Sequence, residues 1–305
     1  MVESAYPLVQ PPWRVVVFTN IPGGRVYTLL DEMMRSLGHR IVGVVTTPGP
    51  PKRRSADYLD VVAAVRPGID VIISSHPNRL ARMLEPLRPD LIISGGFPWL
   101  IPADVVELPR LGAINMHPAL LPKYRGPAAV EWAFRNGDPE LGFTIHRISN
   151  EFDGGPILAQ GRMAIDDDDD IGTLMGKMGQ ILPTMIAQAI ERIARGEPGD
   201  TQDEASASYA GVFEEEWRAI DWTKPARAIH NQVRSWTGIR DVPRGALGTI
   251  DGEQLVILKT RLPRSDGDAV ALALAGAILS RDQDQIIVQC GDGPLEILAW
   301  SATTS

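Results

Sequence analysis

Apolar positions along the first half of the chain come in short β-branched runs: RVVVFT at 14–19, IVGVVT at 41–46, DVIIS at 70–74 and DLIIS at 90–94. Each run is bounded by turn residues, the pattern of a strand covered on both faces. Between the first two, Leu29, Leu30, Met33 and Met34 recur at helical spacing in the stretch 25–36, and Gly38 closes it as a C-cap would. Strands alternating with helices predict βαβ units and a mostly parallel, Rossmann-like α/β sheet. A helix should start at Pro127, with Ala129, Val130, Ala133 and Phe134 on its buried face, and end at Gly137. FTIHRI at 143–148 reads as a further strand, and 171–195 as a long helix. The pattern breaks at 194–209, ARGEPGDTQDEASASY, which is polar and rich in Gly, Pro and Ser. Two domains are therefore expected, 1–200 and 201–305, with a linker at about 196–209. Beyond it, IDWTKPARAIHNQVRSW predicts one amphipathic helix with Pro225 near its start. The short runs ALGTI, QLVILKT, GAILS, QIIVQC and LEILAW then predict a small open β-barrel.

Composition narrows the class without naming a function. The chain has 305 residues, 44% hydrophobic and 22% charged, as ordinary globular proteins do. Its net charge of −8 gives no global pull toward nucleic acid or acidic membranes. The single cysteine, Cys290, excludes an internal disulfide and fits a reducing cytoplasm. No apolar run is long enough to span a membrane, so a cytoplasmic protein without a membrane partner is expected. Oligomeric state is not legible.

The densest chemistry lies at 111–160, LGAINMHPALLPKYRGPAAVEWAFRNGDPELGFTIHRISNEFDGGPILAQ. Asn115 and His117 are two apart, so on a strand they leave from one face. They sit where their strand runs out, the end at which open α/β sheets bind ligands. An imidazole beside an amide can move a proton and stabilise a developing oxyanion at one carbon. A carboxylate returned to that point, such as Asp153, would orient the ring and favour its charged form. Such a set suits acyl transfer to an amine. Alone, Asp153 before Gly154 and Gly155 is also ordinary turn chemistry.

The order Asn-x-His, LLPKYRG, a helix ending in NGD, then Asp-Gly-Gly resembles the folate-dependent formyltransferases, among them methionyl-tRNA formyltransferase, glycinamide ribonucleotide formyltransferase and the sugar N-formyltransferases. The resemblance implies a catalytic triad of Asn115, His117 and Asp153 and 10-formyltetrahydrofolate as donor, with no metal. It implies pterin-pocket contacts at Trp99, Leu100 and Ile101, and a second folate segment at Pro118, Ala119, Leu120 and Leu121. The family often has Asp-Thr-Gly where this chain has Asp-Gly-Gly. The IDW…KPA opening and the strands that follow resemble the OB-like C-terminal domain of the methionyl-tRNA and sugar enzymes. In the expected mechanism Asn115 and protonated His117 hold the oxyanion, while Asp153 orients His117 and raises its pKa.

Other features carry weaker readings. Lys123, Tyr124 and Arg125 form a polar shoulder for substrate, although Arg125 could equally brace its loop. His146 could join the catalytic group but reads first as a satisfied sheet histidine. His39, His76 and His230 read as exposed. Asn20-Ile-Pro-Gly23-Gly24 reads as a tight turn before a phosphate cradle, and Lys52-Arg53-Arg54 as a solvated basic turn before an anion contact. The five aspartates at 166–170 read as solvated acids favouring the start of the helix at 171, because no spaced metal-ligand pattern accompanies them. Residues 206–305 hold ten Lys/Arg against thirteen Asp/Glu, without the basic stripe that RNA binding uses. The expected acceptor is therefore a small-molecule amine such as an amino sugar nucleotide. Methionyl-tRNA is the alternative that charge does not favour, and hydrolysis to formate or non-catalytic folate binding are the others.

Overall fold

The computed structural model describes residues 12–50, 54–238, 244–263 and 273–303. In chain order the first elements are β1 (Arg14–Thr19), α1 (Arg25–Ser36), β2 (Arg40–Thr46), α2 (Asp57–Ala64), β3 (Asp70–Ile73), α3 (Leu80–Leu84), β4 (Leu91–Gly95), α4 (Ala103–Val106) and β5 (Ala113–His117). Then come α5 (Ala129–Asn136), β6 (Glu140–Arg147), β7 (Ile157–Ala164), α6 (Ile171–Ala194) and α7 (Ala226–Arg234). β8 (Ala246–Ile250), β9 (Glu253–Arg261), β10 (Ile278–Arg281), β11 (Ile286–Gln289) and β12 (Pro294–Ala302) complete the chain.

These elements form two compact units that are not contiguous in sequence. One comprises Met1–Pro127, Gly142–Arg162 and Gln180–Tyr209; the other comprises Ala128–Leu141, Met163–Gly179 and Ala210–Ser305. The sequence expectation had divided the chain at 200/201.

The first unit is built on a seven-stranded sheet of order β3-β2-β1-β4-β5-β6-β7. Pairings from β3 to β5 are parallel, and β6 runs antiparallel to β5. β4 and all of β1 beyond Arg14 are covered, with Val15, Val16, Val17, Phe18, Leu91 and Ile92 all fully buried, which is why these runs carry no polar alternation. Strand order reverses between β1 and β4, so the crevice such a topology opens lies at the carboxyl ends of those two strands, with β5 the next neighbour of β4. At the Asn20–Gly24 turn, the Gly23 N–H donates to Asp60 Oδ2 at 3.0 Å, so this turn is tied to a carboxylate of its own chain. His39 is buried rather than exposed, stacked on Trp13 with ring centroids 4.3 Å apart. His76 is exposed as expected.

The second unit carries the OB-like antiparallel sheet, five strands in the order β10-β11-β12-β9-β8. Its core contains Ile229 and Val233 of α7 with Ile257, Ile286, Val288, Cys290, Leu295 and Ile297. Helix α7 is shorter than expected. Residues 220–225 lie outside it, because Pro225 excludes its predecessor from helical backbone and Asp221 caps a separate turn through the Thr223 N–H. The aspartate run is not uniformly solvated either. Asp169 is buried, with Lys177 Nζ 2.5 Å away, and Asp170 Oδ1 accepts the Thr173 N–H at the start of α6. The single thiol, Cys290, is 1% exposed, and burial followed by the Asp292 charge pushes its pKa up to about 12.

His230 is likewise buried, contrary to the sequence expectation. Its Nε2–H donates to Asp167 O at 2.9 Å, leaving Nδ1 to accept from Thr260 Oγ1 at 2.8 Å. Burial, with the Arg234 charge second, depresses its pKa from 6.5 to about 4. Between those values the unfolded chain binds the extra proton, so stability falls on acidification. The shift corresponds to about 3 kcal/mol lost by pH 4. Urea unfolding at pH 7 and pH 4 should show this loss, and His230→Gln should remove most of it relative to wild type.

Candidate functional site

The antiparallel β5–β6 pair sets the site. It places His146 opposite Asn115 and Thr144 opposite His117. The turn after β6 brings back Asp153, whose backbone is left-handed at φ 51. Asn115, His117 and Asp153, thirty-eight residues apart at the extremes, therefore meet. Asn115 Nδ2 donates to Asp153 Oδ1 at 3.2 Å, and His117 Nδ1 lies 3.6 Å from Asp153 Oδ2. His146 joins them: its Nε2 is 3.3 Å from Asn115 Nδ2 and 3.4 Å from Asp153 Oδ1. All three titratable side chains are largely buried, at 6%, 2% and 11% exposure for His117, His146 and Asp153.

The backbone fixes both imidazoles. His117 Nε2 lies 2.8 Å from the Tyr124 carbonyl, which can only accept, so Nε2 carries the proton and Nδ1 faces Asp153. His146 Nδ1 lies 2.8 Å from the Arg147 carbonyl, so its proton is there and its Nε2 faces the Asn115 amide. Burial lowers the pKa of His117, and this outweighs the Asp153 charge and the Tyr124 bond, which raise it. Asp153 raises the His117 pKa as expected, but desolvation of the imidazolium is the larger effect, so the expectation of a protonated His117 is corrected. Burial pushes Asp153 upward too. Contact with the His146 ring, the attraction of either imidazole when it is protonated, and the Gly126 N–H at 2.8 Å overcome it and hold the carboxyl at about 2.

The expected pocket residues divide by environment. On the loop after β4, Leu100 is 42% exposed, Trp99 is half-buried edge-to-face on Phe97, and Ile101 points into the core with Val105 and Phe18. In the segment after His117, Pro118 and Leu120 are half-buried, whereas Ala119 and Leu121 are buried. Thr144 holds this segment by donating to Ala119 O at 2.6 Å and accepting the Leu121 N–H at 3.2 Å. Lys123 is exposed with its ammonium over the Tyr124 ring, and Tyr124 serves the site through its backbone. Arg125 is directed into the protein: its guanidinium bonds Gln202 Oε1 and both carboxylate oxygens of Glu204. Of its two readings, the brace is the one that has contacts. Among the described residues there is no group of three His, Cys, Asp or Glu side chains able to hold a metal ion, and no helix long and apolar enough to cross a membrane.

Residues 13–190 match the family described as formyl transferase, and residues 213–303 match the formyl transferase C-terminal domain. The chain belongs to the formyl transferase family. A methionyl-tRNA formyltransferase of Citrifermentans bemidjiense is 34% identical over 289 residues, covering 92% of this chain and 87% of that protein. One from Pelobacter propionicus is 32% identical over 291 residues, covering 93% and 87%. Among solved structures, an N-formyltransferase from Helicobacter canadensis, in complex with folinic acid and dTDP-3-aminofucose, superposes with a TM-score of 0.68 at 20% identity, covering 95% of this chain and 100% of that one.

Within this formyl transferase the Asp-Gly-Gly turn has two unequal glycines. A methyl group added at Gly155 would lie 1.8 Å from the Arg147 carbonyl oxygen, a backbone atom that cannot retreat. At Gly154 the nearest atoms, at 3.1 Å, belong to the side chain of exposed Glu151. This accounts for why a family pattern of Asp-Thr-Gly and the present Asp-Gly-Gly fit the same turn. Gly155→Ala should therefore destabilise the fold by about 1–3 kcal/mol or more, whereas Gly154→Ala should stay within about 0.5 kcal/mol. Thermal unfolding of the two variants checks this.

Proposed function

We propose that this formyl transferase moves the formyl group of 10-formyltetrahydrofolate onto the primary amine of a methionyl-tRNA. The observation carrying this reading is 34% identity, over 92% of the chain, to a protein that bears that name. The acidic balance of residues 206–305 had favoured a small amine. A sum over a hundred residues, however, averages a surface on which RNA needs only a local patch. Of the basic run that could supply one, Lys52 and Arg53 lie outside the described residues and Arg54 is exposed. Transfer to a small amine such as an amino sugar nucleotide is the second reading, favoured by that acidic balance.

Half-buried Trp99, Pro118 and Leu120 with exposed Leu100 supply the apolar walls a planar heterocycle requires, next to the Asn115–His117 end of β5. The folate supplies an activated formyl carbon on a nitrogen that must leave protonated. Asn115 Nδ2 is the donor for the oxyanion that develops at that carbon. Its present bonds to Asp153 and His146 are both over 3.1 Å, long enough to be exchanged for a stronger acceptor. His117 begins neutral, so Nδ1 takes the proton released by the attacking amine and delivers it to the departing nitrogen. Asp153, ionised throughout, stabilises the imidazolium in between. Bond formation to the amine, loss of the folate C–N bond and transfer of one proton balance without a metal.

Single-turnover transfer from 10-formyltetrahydrofolate should formylate initiator methionyl-tRNA far faster than any amino sugar nucleotide. Transfer to a sugar nucleotide alone would replace the acceptor, and release of formate alone would make the protein a hydrolase. His117→Ala should lower the transfer rate by on the order of 10²–10⁴ with the donor dissociation constant unchanged. Equal loss of binding and transfer would overturn its role as proton carrier.

A further inference from the structure

Resting on the formyl-transfer reading, we propose that Gln202 is a positioning residue for the reaction, holding the Asp153 turn in register with the His117 loop. Gln202 lies in the polar stretch that sequence reasoning read as a linker. It is nevertheless 6% exposed, amid exposed Thr201, Asp203 and Glu204. Its amide is fully used. Nε2 donates to Asp153 O at 2.7 Å and Gly155 O at 2.8 Å, and Oε1 accepts from Arg125 Nε at 3.1 Å and its terminal nitrogen at 2.9 Å. A side-chain amide has two protons to give and two lone pairs to accept, and here each has a partner.

Those four bonds join the two loops on which the reacting geometry depends. Asp153 sits in left-handed backbone, where a non-glycine residue stays only if its surroundings hold it. Gln202 holds it at the carbonyl, and the Gly126 N–H holds it at carboxyl Oδ2. The neighbouring Tyr124 carbonyl fixes the His117 ring, and Tyr124 is itself left-handed at φ 61. Its N–H donates to Ser208 Oγ at 2.9 Å, and the Arg125 N–H donates to Ser208 O at 2.8 Å. The stretch 202–208 thus anchors both the carbonyl that orients His117 and the turn that carries Asp153. A change at Gln202 should reach the chemistry through Asp153 without touching substrate.

The test is a cycle of Gln202→Glu and Asp153→Asn in the full chain. Glutamate keeps the length and the acceptors for Arg125 but turns lone pairs toward the Asp153 and Gly155 carbonyls. The expected result is at least a tenfold fall in kcat with donor KM changed less than about twofold, and no further fall when Gln202→Glu is added to Asp153→Asn. A kcat within twofold of wild type, or losses that multiply in the double variant, would overturn the proposal. A second readout needs no activity. Carbon-13 NMR of the Asp153 carboxyl should titrate near 2 in the wild type and move up toward 3.8 in Gln202→Glu; an unmoved titration would also overturn it. If wild-type protein transfers formyl to no acceptor, the functional reading fails while this titration still judges the positioning role. Should Gln202→Glu not fold, Gln202→Met, equal in length and without polar contacts, takes its place in the same measurements.

Discussion

A carboxylate that is mostly withdrawn from water and still ionised sets the terms for the sheet end where Asn115 and His117 emerge. Desolvation alone would favour protonation of Asp153, so its charge persists only because donors converge on it from separate segments. The Asn115 amide comes from β5 and the Gly126 N–H from the loop before α5, with the His146 ring alongside from β6. The convergence requires a tight turn immediately after β6, which explains the left-handed backbone at Asp153 and the absence of any side chain at Gly155. Local strain, backbone approach and buried charge are one problem with one solution.

The same burial decides the resting charge of His117. In a more open site a neighbouring carboxylate would leave His117 charged at rest. Here the cost of removing an imidazolium from water exceeds that attraction, so the ring rests neutral, and in the proposed transfer it is charged only in passing. An ionised Asp153 beside a neutral ring is a poised pair, because a proton taken up by that ring would arrive beside a negative charge.

The hydrophobic pattern carried the sheet well, since strands buried on both faces leave continuous apolar runs, and β1 and β4 are such strands. Asn115 and His117 were legible because a polar pair at strand spacing is out of place at the end of an apolar run. Asp153 was legible only beside them and the family pattern. His146 is the buried, hydrogen-bonded sheet histidine that was read first, but its place beside Asn115 and Asp153 was not legible, because alternation shows which face a residue takes and not which strand lies opposite; that depends on β6 running back along β5. Gln202 and Ser208 were invisible for a related reason. Linkers are recognised by polarity and by Gly and Pro, and a buried amide that satisfies backbone groups looks the same in sequence as one in water. His39 and His230 were misplaced likewise, since the stacking on Trp13 and the bond to Asp167 are contacts between distant segments. The overlong reading of α7 has a local cause, in that Pro225 marks where the helix begins rather than a residue inside it.

The solitary thiol has a practical consequence. Cys290 lies in the core of the OB-like sheet with its pKa near 12, so thiolate at neutral pH is a minute fraction and even that is walled off from reagents. Alkylation must then wait for the surrounding strands to part. Because the chain contains no other cysteine, the rate of labelling by a thiol reagent becomes a clock for spontaneous opening of that one sheet, readable by mass alone in the unmodified protein.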